Sequence, residues 1–159
     1  MNENFTLDAA SLLILQELQR DSRQTVQQIA TKAGLSTTPC WKRIKELEAA
    51  GVIRGYTALV DRSKVGLNLL VVVEVNLSQH TETTVRQFER EVAVSPHIVR
   101  CLSTTGQADY ILTVMARDVA HYEQLLHGTI FRLPGVSQVR SSIVLNEVKS
   151  EVRLPVGEV

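Results

Sequence analysis

The chain has 159 residues, enough for one domain or two small ones, and its 44% hydrophobic and 21% charged residues are typical of globular proteins. Its formal net charge is zero, which excludes a protein that coats nucleic acid through a general positive charge. Any DNA binding must therefore come from a local basic patch, which oligomerisation would duplicate.

No targeting or membrane-spanning segment is predicted. Polar residues such as Asn2, Glu3 and Asp8 interrupt the N-terminal region, unlike a signal peptide, and no apolar run approaches the roughly 18 residues that cross a bilayer. Cys40 and Cys101 lie far apart and lack metal-ligand spacing. We therefore expect no metal site, two buried free thiols and a cytoplasmic location.

The first third of the chain predicts three short helices. The first runs from Leu7 to Arg20, with Asp8 as its N-cap residue. Thr25 and Gln28 match a capping box at the start of the second helix. Gly34 ends that helix, because glycine tolerates the left-handed conformation found there. Two helices separated by such a turn favour a helix-turn-helix.

The third helix is predicted to carry a basic, hydroxyl-rich outer surface. Cys40, Ile44 and Leu47 recur at i, i+4 and i+7 and should face inward. The residues expected to contact DNA from this helix and its N-cap are Ser36, Thr37, Thr38, Trp41, Lys42, Arg43 and Lys45. A plain helical hairpin with a solvated basic surface is the alternative, because charged faces are usually solvated.

Two short strands are predicted around Gly55, between Val52 and Val60. A β-hairpin directly after a recognition helix is the wing of a winged helix. Arg54 on this wing is either a phosphate contact or a solvated charge. Residues 1–60 are therefore assigned to a winged helix-turn-helix domain, and the polar residues 61–68 to a linker.

Residues 69–159 show the element order βαββαβ, which is typical of a ferredoxin-like sandwich with helices on one face of an antiparallel sheet. The first strand is nevertheless apolar on both sides, and we place Leu70, Val72 and Cys101, with either Ile111 or Leu112, on the side without helices. An uncovered apolar sheet face predicts a homodimer.

Four motifs together resemble the Lrp/AsnC family of bacterial and archaeal transcription regulators. They are LDAASLLILQELQRDSR (7–23), LSTTPCWKRIKELEAAGVIRGYTALVD (35–61), TGQADYIL (105–112) and LPGVSQVRSSIVLNEVK (133–149). The resemblance covers Leu7 to about Pro155. It implies an α+β protein with an N-terminal winged helix-turn-helix and a C-terminal ferredoxin-like effector domain. The N-terminal domain would bind double-stranded DNA. It also implies homodimers that assemble into tetramers or octamers.

The resemblance further implies a small amino-acid effector, often bound where effector domains of two dimers meet. Carried over by motif, its site would be lined by Thr105, Gly106, Gln107, Ala108, Asp109, Tyr110 and Ser141. Asp109 would receive the ligand's ammonium group. The alternative is that Gly106 and Asp109 only form a hairpin turn. Gln107 and Ala108 stand where members of the family commonly have an acidic and an aromatic residue. Because apolar replacements occur around the loop, we expect a branched-chain effector such as leucine.

Two other function classes are alternatives to a DNA-binding regulator. An enzyme is excluded because the four histidines share no ligand spacing and no glycine-rich phosphate loop is present. No cofactor is expected. The remaining alternative is an oligomeric amino-acid-sensing module that acts through protein contacts without DNA, and salt-sensitive duplex binding would distinguish the two.

Overall fold

A computed structural model describes residues 7–157, which form two compact units. One unit combines the chain up to Ala58 with the segment that begins at Lys149, and the other is Leu59–Val148. The structure thus groups the segment from Lys149 with the helical unit, whereas the sequence prediction placed residues 149–159 in the C-terminal domain. Asn2 and Glu3, and the last two residues of that assignment, lie outside the described part of the chain.

Residues 61–68, predicted as the linker, group with the second unit. The guanidinium of Arg62 donates from Nη1 to the carbonyl oxygens of Leu67, at 3.1 Å, and Asn68, at 2.8 Å. These hydrogen bonds close a turn just before the first strand, within the residues predicted as the linker.

Three helices form the first unit: α1 (Ala9–Arg20), α2 (Val26–Lys32) and α3 (Thr37–Ala49). Their shared core contains Ile14, Leu15, Ile29, Ala30, Ala33, Cys40, Ile44 and Leu47. The predicted inward stripe of α3 is confirmed. Burial raises the pKa of the Cys40 thiol.

Local sequence determines where these helices begin. Asp8 Oδ1 accepts a 2.8 Å hydrogen bond from the Ser11 amide at the start of α1. Thr25 and Gln28 form the predicted capping box, each side chain accepting from the other residue's amide. Gly34 has φ +68°, a conformation that glycine adopts without strain.

The two strands predicted between Val52 and Val60 are not formed in this fully described segment. The amides of Val52 and Ile53 both donate to the carbonyl of Leu47, at 3.0 and 3.1 Å, so the segment begins as an extension of the α3 C-terminus. The rest has no regular secondary structure and is exposed. A two-stranded hairpin with no covering layer is at best marginally stable in water, which explains the difference.

The second unit contains, in chain order, β1 (Leu69–Leu77), α4 (Glu82–Val94), β2 (Ile98–Ser103), β3 (Tyr110–Ala116), α5 (Val119–Gly128), a short 3₁₀ helix (Ile130–Arg132) and β4 (Val136–Ile143). The strands form one antiparallel sheet in the order β2-β3-β1-β4. The predicted βαββαβ order is confirmed, and its core includes Val71, Val73 and Val75 of β1 with Phe88 of α4.

The opposite side of the sheet, here called the open face, is apolar at one end and charged at the other. Strand alternation places Leu70, Val72, Glu74, Asn76, Ile111, Thr113, Met115, Arg140 and Ser142 on it. The expectation that Cys101 lies there is wrong: Cys101 pairs with Leu112 and packs against the helix-covered core. Burial raises the pKa of the Cys101 thiol as well.

The C-terminal segment returns from the sheet unit to pack on α1. The Gln19 side chain accepts from the Leu154 amide at 2.7 Å and donates to the Leu154 carbonyl at 3.1 Å. Gln16 Nε2 donates to the Val156 carbonyl at 2.8 Å, and the Val156 side chain packs against the helical core. Two distant segments of the chain therefore build the helical unit.

Val156→Asp is expected to destabilise the helical unit by about 1–3 kcal/mol, because it places a carboxylate against apolar side chains. Amide hydrogen exchange should become faster in α1 while the β1 amides keep their protection. Val152→Asp is the matched control, since Val152 lies in the same segment and is 66% exposed. Equal exchange in the two variants would contradict the docking of this segment on α1.

Candidate nucleic-acid interface and effector region

The outer side of α3 brings together most of the residues predicted to contact DNA. Thr37, Thr38, Trp41, Lys42 and Lys45 are all exposed, whereas Cys40, Ile44 and Leu47 of the same helix are buried. These five residues are here called the basic face. Ser36 is exposed at the N-cap position and makes no side-chain capping bond, so its hydroxyl is available to a ligand.

Arg43 lies apart from the basic face and ties α3 to the start of α1. Its Nη1 donates to Asp8 Oδ2 at 2.5 Å and to Ser11 Oγ at 3.3 Å. The Ser11 amide and hydroxyl, and then the Arg43 guanidinium, hold the pKa of the Asp8 carboxyl below its ordinary value. Arg43 therefore has an internal partner that sequence spacing does not reveal, because Asp8 is 35 residues away.

Two glutamates on α3, which sequence reasoning did not select, pair with the lysines of the basic face. Lys42 Nζ lies 3.9 Å from Glu46 Oε1, and Lys45 Nζ lies 2.7 Å from Glu48 Oε2. Glu48 also accepts a 3.0 Å hydrogen bond from the Tyr56 hydroxyl. The hydrogen bond from Lys45, and then the weaker effect of that from Tyr56, hold the pKa of the Glu48 carboxyl below its ordinary value. The i, i+3 and i, i+4 spacings of these residues in the sequence could have predicted both ion pairs.

Arg54 is exposed in the segment where the wing strands were expected. It is therefore accessible to a phosphate, but no strand pairing orients it.

The predicted effector loop is a tight connection between β2 and β3. Thr104 closes it, donating from its amide to the Asp109 carbonyl at 3.0 Å and from its hydroxyl to the Ala108 carbonyl. Thr105, Gly106 and Gln107 are exposed at its tip, whereas Ala108 is buried.

Asp109 anchors this loop to the end of β1. Its Oδ2 accepts a 2.8 Å hydrogen bond from the Leu77 amide, and its Oδ1 lies 2.9 Å from His80 Nε2. Its own amide donates to Asn76 Oδ1 at 2.9 Å. The Leu77 amide, and then His80, hold the pKa of the Asp109 carboxyl below its ordinary value. Both carboxylate oxygens thus have partners within the chain, which favours the hairpin-turn interpretation of this residue.

Tyr110 and Ser141 lie on the helix-covered side of the sheet. The Tyr110 side chain is buried beside Phe88, and its hydroxyl donates to Glu89 Oε1 at 3.0 Å; burial raises the pKa of Tyr110 to about 12. Ser141 Oγ lies 2.5 Å from the Tyr122 hydroxyl.

The strand register separates Ser141 from the effector loop. Ser141 pairs with Val73 on β1, whereas Asp109 bonds the Leu77 amide four residues further along that strand, about 13 Å away. Within the described part of one chain, the predicted effector residues therefore do not converge on one pocket.

Family comparison agrees with both units. Residues 7–54 match the family description "Winged helix-turn-helix DNA-binding", and residues 70–154 match "Lrp/AsnC ligand binding domain". The chain belongs to the Lrp/AsnC family. Lrp/AsnC proteins of this kind are DNA-binding transcription regulators with an amino-acid-binding domain, not enzymes. The winged helix-turn-helix class is thereby confirmed, although the described segment between Val52 and Val60 forms no wing strands.

Individual Lrp/AsnC relatives extend over nearly all of this chain. The leucine-responsive regulatory protein of Haemophilus influenzae is 39% identical over 146 residues, which is 92% of this chain and 88% of that protein. The protein of the same name from Escherichia coli K12 is 38% identical over 148 residues, covering 93% and 90%. A Neisseria meningitidis transcriptional regulator solved in complex with L-Met has a TM-score of 0.89 and 32% identity, covering 96% and 98%.

Two further properties follow from the described residues 7–157. None of the helices there is long and apolar enough to cross a membrane. The same residues contain no group of three or more His, Cys, Asp or Glu side chains placed to hold a metal ion.

Proposed function

We propose that this regulator acts as a homodimer, or a larger assembly of dimers, that binds operator DNA through two basic faces. We propose further that its DNA binding responds to a branched-chain amino acid such as leucine. The observation that carries the proposal is the exposed basic face of α3, which lies opposite a fully buried apolar stripe in a helix-turn-helix.

The composition of the basic face supports a dimer. Arg43 bonds Asp8, so each chain offers only Lys42 and Lys45 as exposed cations on this helix. Two lysines give too few phosphate contacts for tight operator binding, and a two-fold dimer doubles them. The open face supplies a self-complementary surface, with Leu70, Val72 and Met115 at its apolar end.

The effector proposal is supported by relatives and by loop geometry. Two relatives are named as leucine-responsive, and the Neisseria meningitidis regulator was solved with L-Met, another apolar amino acid. The loop tip, residues 105–107, is exposed and therefore accessible to a neighbouring chain. Because the loop and Ser141 lie apart within one chain, we propose that the effector binds where chains meet.

Genomic footprinting with and without leucine tests this function, with alanine and methionine as comparison ligands. A discrete set of protected sites whose occupancy changes with leucine is expected. Occupancy that changes only with methionine would contradict the branched-chain effector. No salt-sensitive binding to duplex DNA would instead support a sensing module that acts through protein contacts.

A further inference from the structure

Every basic side chain of α3 has an acidic partner within the chain. Lys42 pairs with Glu46, Arg43 with Asp8, and Lys45 with Glu48. Counted over Thr37–Ala49, three basic and two acidic residues leave the recognition helix with a charge of only +1. The surface proposed to meet a polyanion is therefore close to neutral.

The two glutamates differ in their surroundings. The Glu48 side chain is 29% exposed and is held by both Lys45 and Tyr56, so it connects α3 to the segment that follows. The Glu46 side chain is 49% exposed, and its ion pair with Lys42 spans 3.9 Å, beyond hydrogen-bond length. At 100° per residue, Glu46 lies only about 40° around the helix from Lys42. It is thus an acidic residue beside the basic face.

Helix stability does not account for an acid at this position. Glu46 lies in the last turns of α3, where the helix dipole disfavours negative charge. The order lysine then glutamate at i, i+4 is the less favourable of the two orientations. An exposed pair of this length contributes little to stability.

We propose that Glu46 is a specificity-determining residue that suppresses binding to non-cognate DNA. This inference rests on the proposed DNA-binding function of the basic face. Recognition helices contact base edges mainly through their N-terminal residues, here Thr37 and Thr38. Glu46 lies eight residues beyond Thr38, about 12 Å along the axis, where the helix faces the phosphate backbone.

A carboxylate at that position repels phosphates most where the helix is held to DNA by phosphate contacts alone, as on non-cognate sequences. At a cognate site the base contacts of the N-terminal turn fix how the helix docks in the groove, so the repulsion weakens cognate binding less. Glu46 also neutralises part of the charge of Lys42. This lowers affinity for non-cognate DNA further, because non-specific affinity comes almost entirely from the electrostatic contribution.

Glu46→Gln in the full-length protein tests the inference. Dissociation constants are measured for a footprinted site and for a scrambled duplex of equal length, across a range of salt concentrations. Affinity for the scrambled duplex is expected to rise about threefold to tenfold at low salt and to depend more steeply on salt. The gain in affinity at the cognate site should be smaller. The specificity ratio should therefore fall.

Glu91→Gln is the matched control, because Glu91 is an exposed glutamate on α4, in the other unit. An equal gain in that variant would show an effect of net charge alone and would overturn the proposal. Loss of cognate affinity in Glu46→Gln would also overturn it, since it would indicate that Glu46 accepts a hydrogen bond from a cytosine amino group.

Lys42→Ala separates failure of this inference from failure of the proposed function. If Lys42→Ala weakens DNA binding while Glu46→Gln changes neither affinity, only the role of Glu46 is wrong. If neither variant changes DNA binding, the basic face itself is wrongly assigned.

Discussion

Replacing both Lys42 and Lys45 with Ala is expected to lower operator affinity about a thousandfold at 0.15 M salt. Each lost phosphate contact reduces the salt slope by about 0.9, which corresponds to about fivefold in affinity at that salt concentration. The proposed dimer would lose four such contacts, since both side chains are exposed on the basic face of each chain. Titrating operator DNA at several salt concentrations measures both the affinity and the slope.

Two single variants serve as controls for this result. Lys64→Ala removes one exposed lysine from the sheet unit and should leave the salt slope unchanged. Arg43→Ala should mainly reduce the stability of the helical unit, because Arg43 bonds Asp8 and Ser11. An unchanged slope in the double lysine variant would show that these side chains do not contact phosphates.

Val72→Asp is expected to convert the proposed dimer to folded monomers, whereas Val73→Asp should prevent folding of the sheet unit. Val73 is fully buried in the core, where an unpaired carboxylate costs several kcal/mol. Val72 is only partly buried and lies on the open face, so its charge would be desolvated only in the dimer. Light scattering measures the mass, and circular dichroism measures the fold.

Val119→Asp provides the same substitution at a 59% exposed position of α5 and should change neither property. The monomer produced by Val72→Asp should also lose operator affinity, because it presents a single basic face. Wild-type protein that is monomeric at micromolar concentration and binds its operator fully would contradict the proposed dimer.

The helices, their caps and the order of the strands could be predicted from sequence because their causes are local. The Thr25 capping box spans four residues, and the buried stripe of α3 follows from a 3.6-residue period. Strand alternation likewise predicted that Val73 faces the helices and Val72 the open side. The basic face follows from the same periodicity.

The partners of individual charged groups could not be predicted in this way. Arg43 was expected to face DNA but bonds Asp8, and Asp109 was expected near a ligand but bonds the Leu77 amide, 32 residues away. Cys101 was assigned to the wrong side of the sheet, because the register of β2 follows from its pairing with β3 and not from its own sequence.

The sequence by itself determined the two folding patterns and the surface of α3, since helix periodicity, strand alternation and capping depend on residues within a few positions of one another. Only the tertiary structure decided that the C-terminal segment completes the helical unit, where Leu154 bonds Gln19 across 135 residues. It also decided which cations of α3 remain accessible. Such pairings depend on how distant segments pack, and this information is absent from any local pattern.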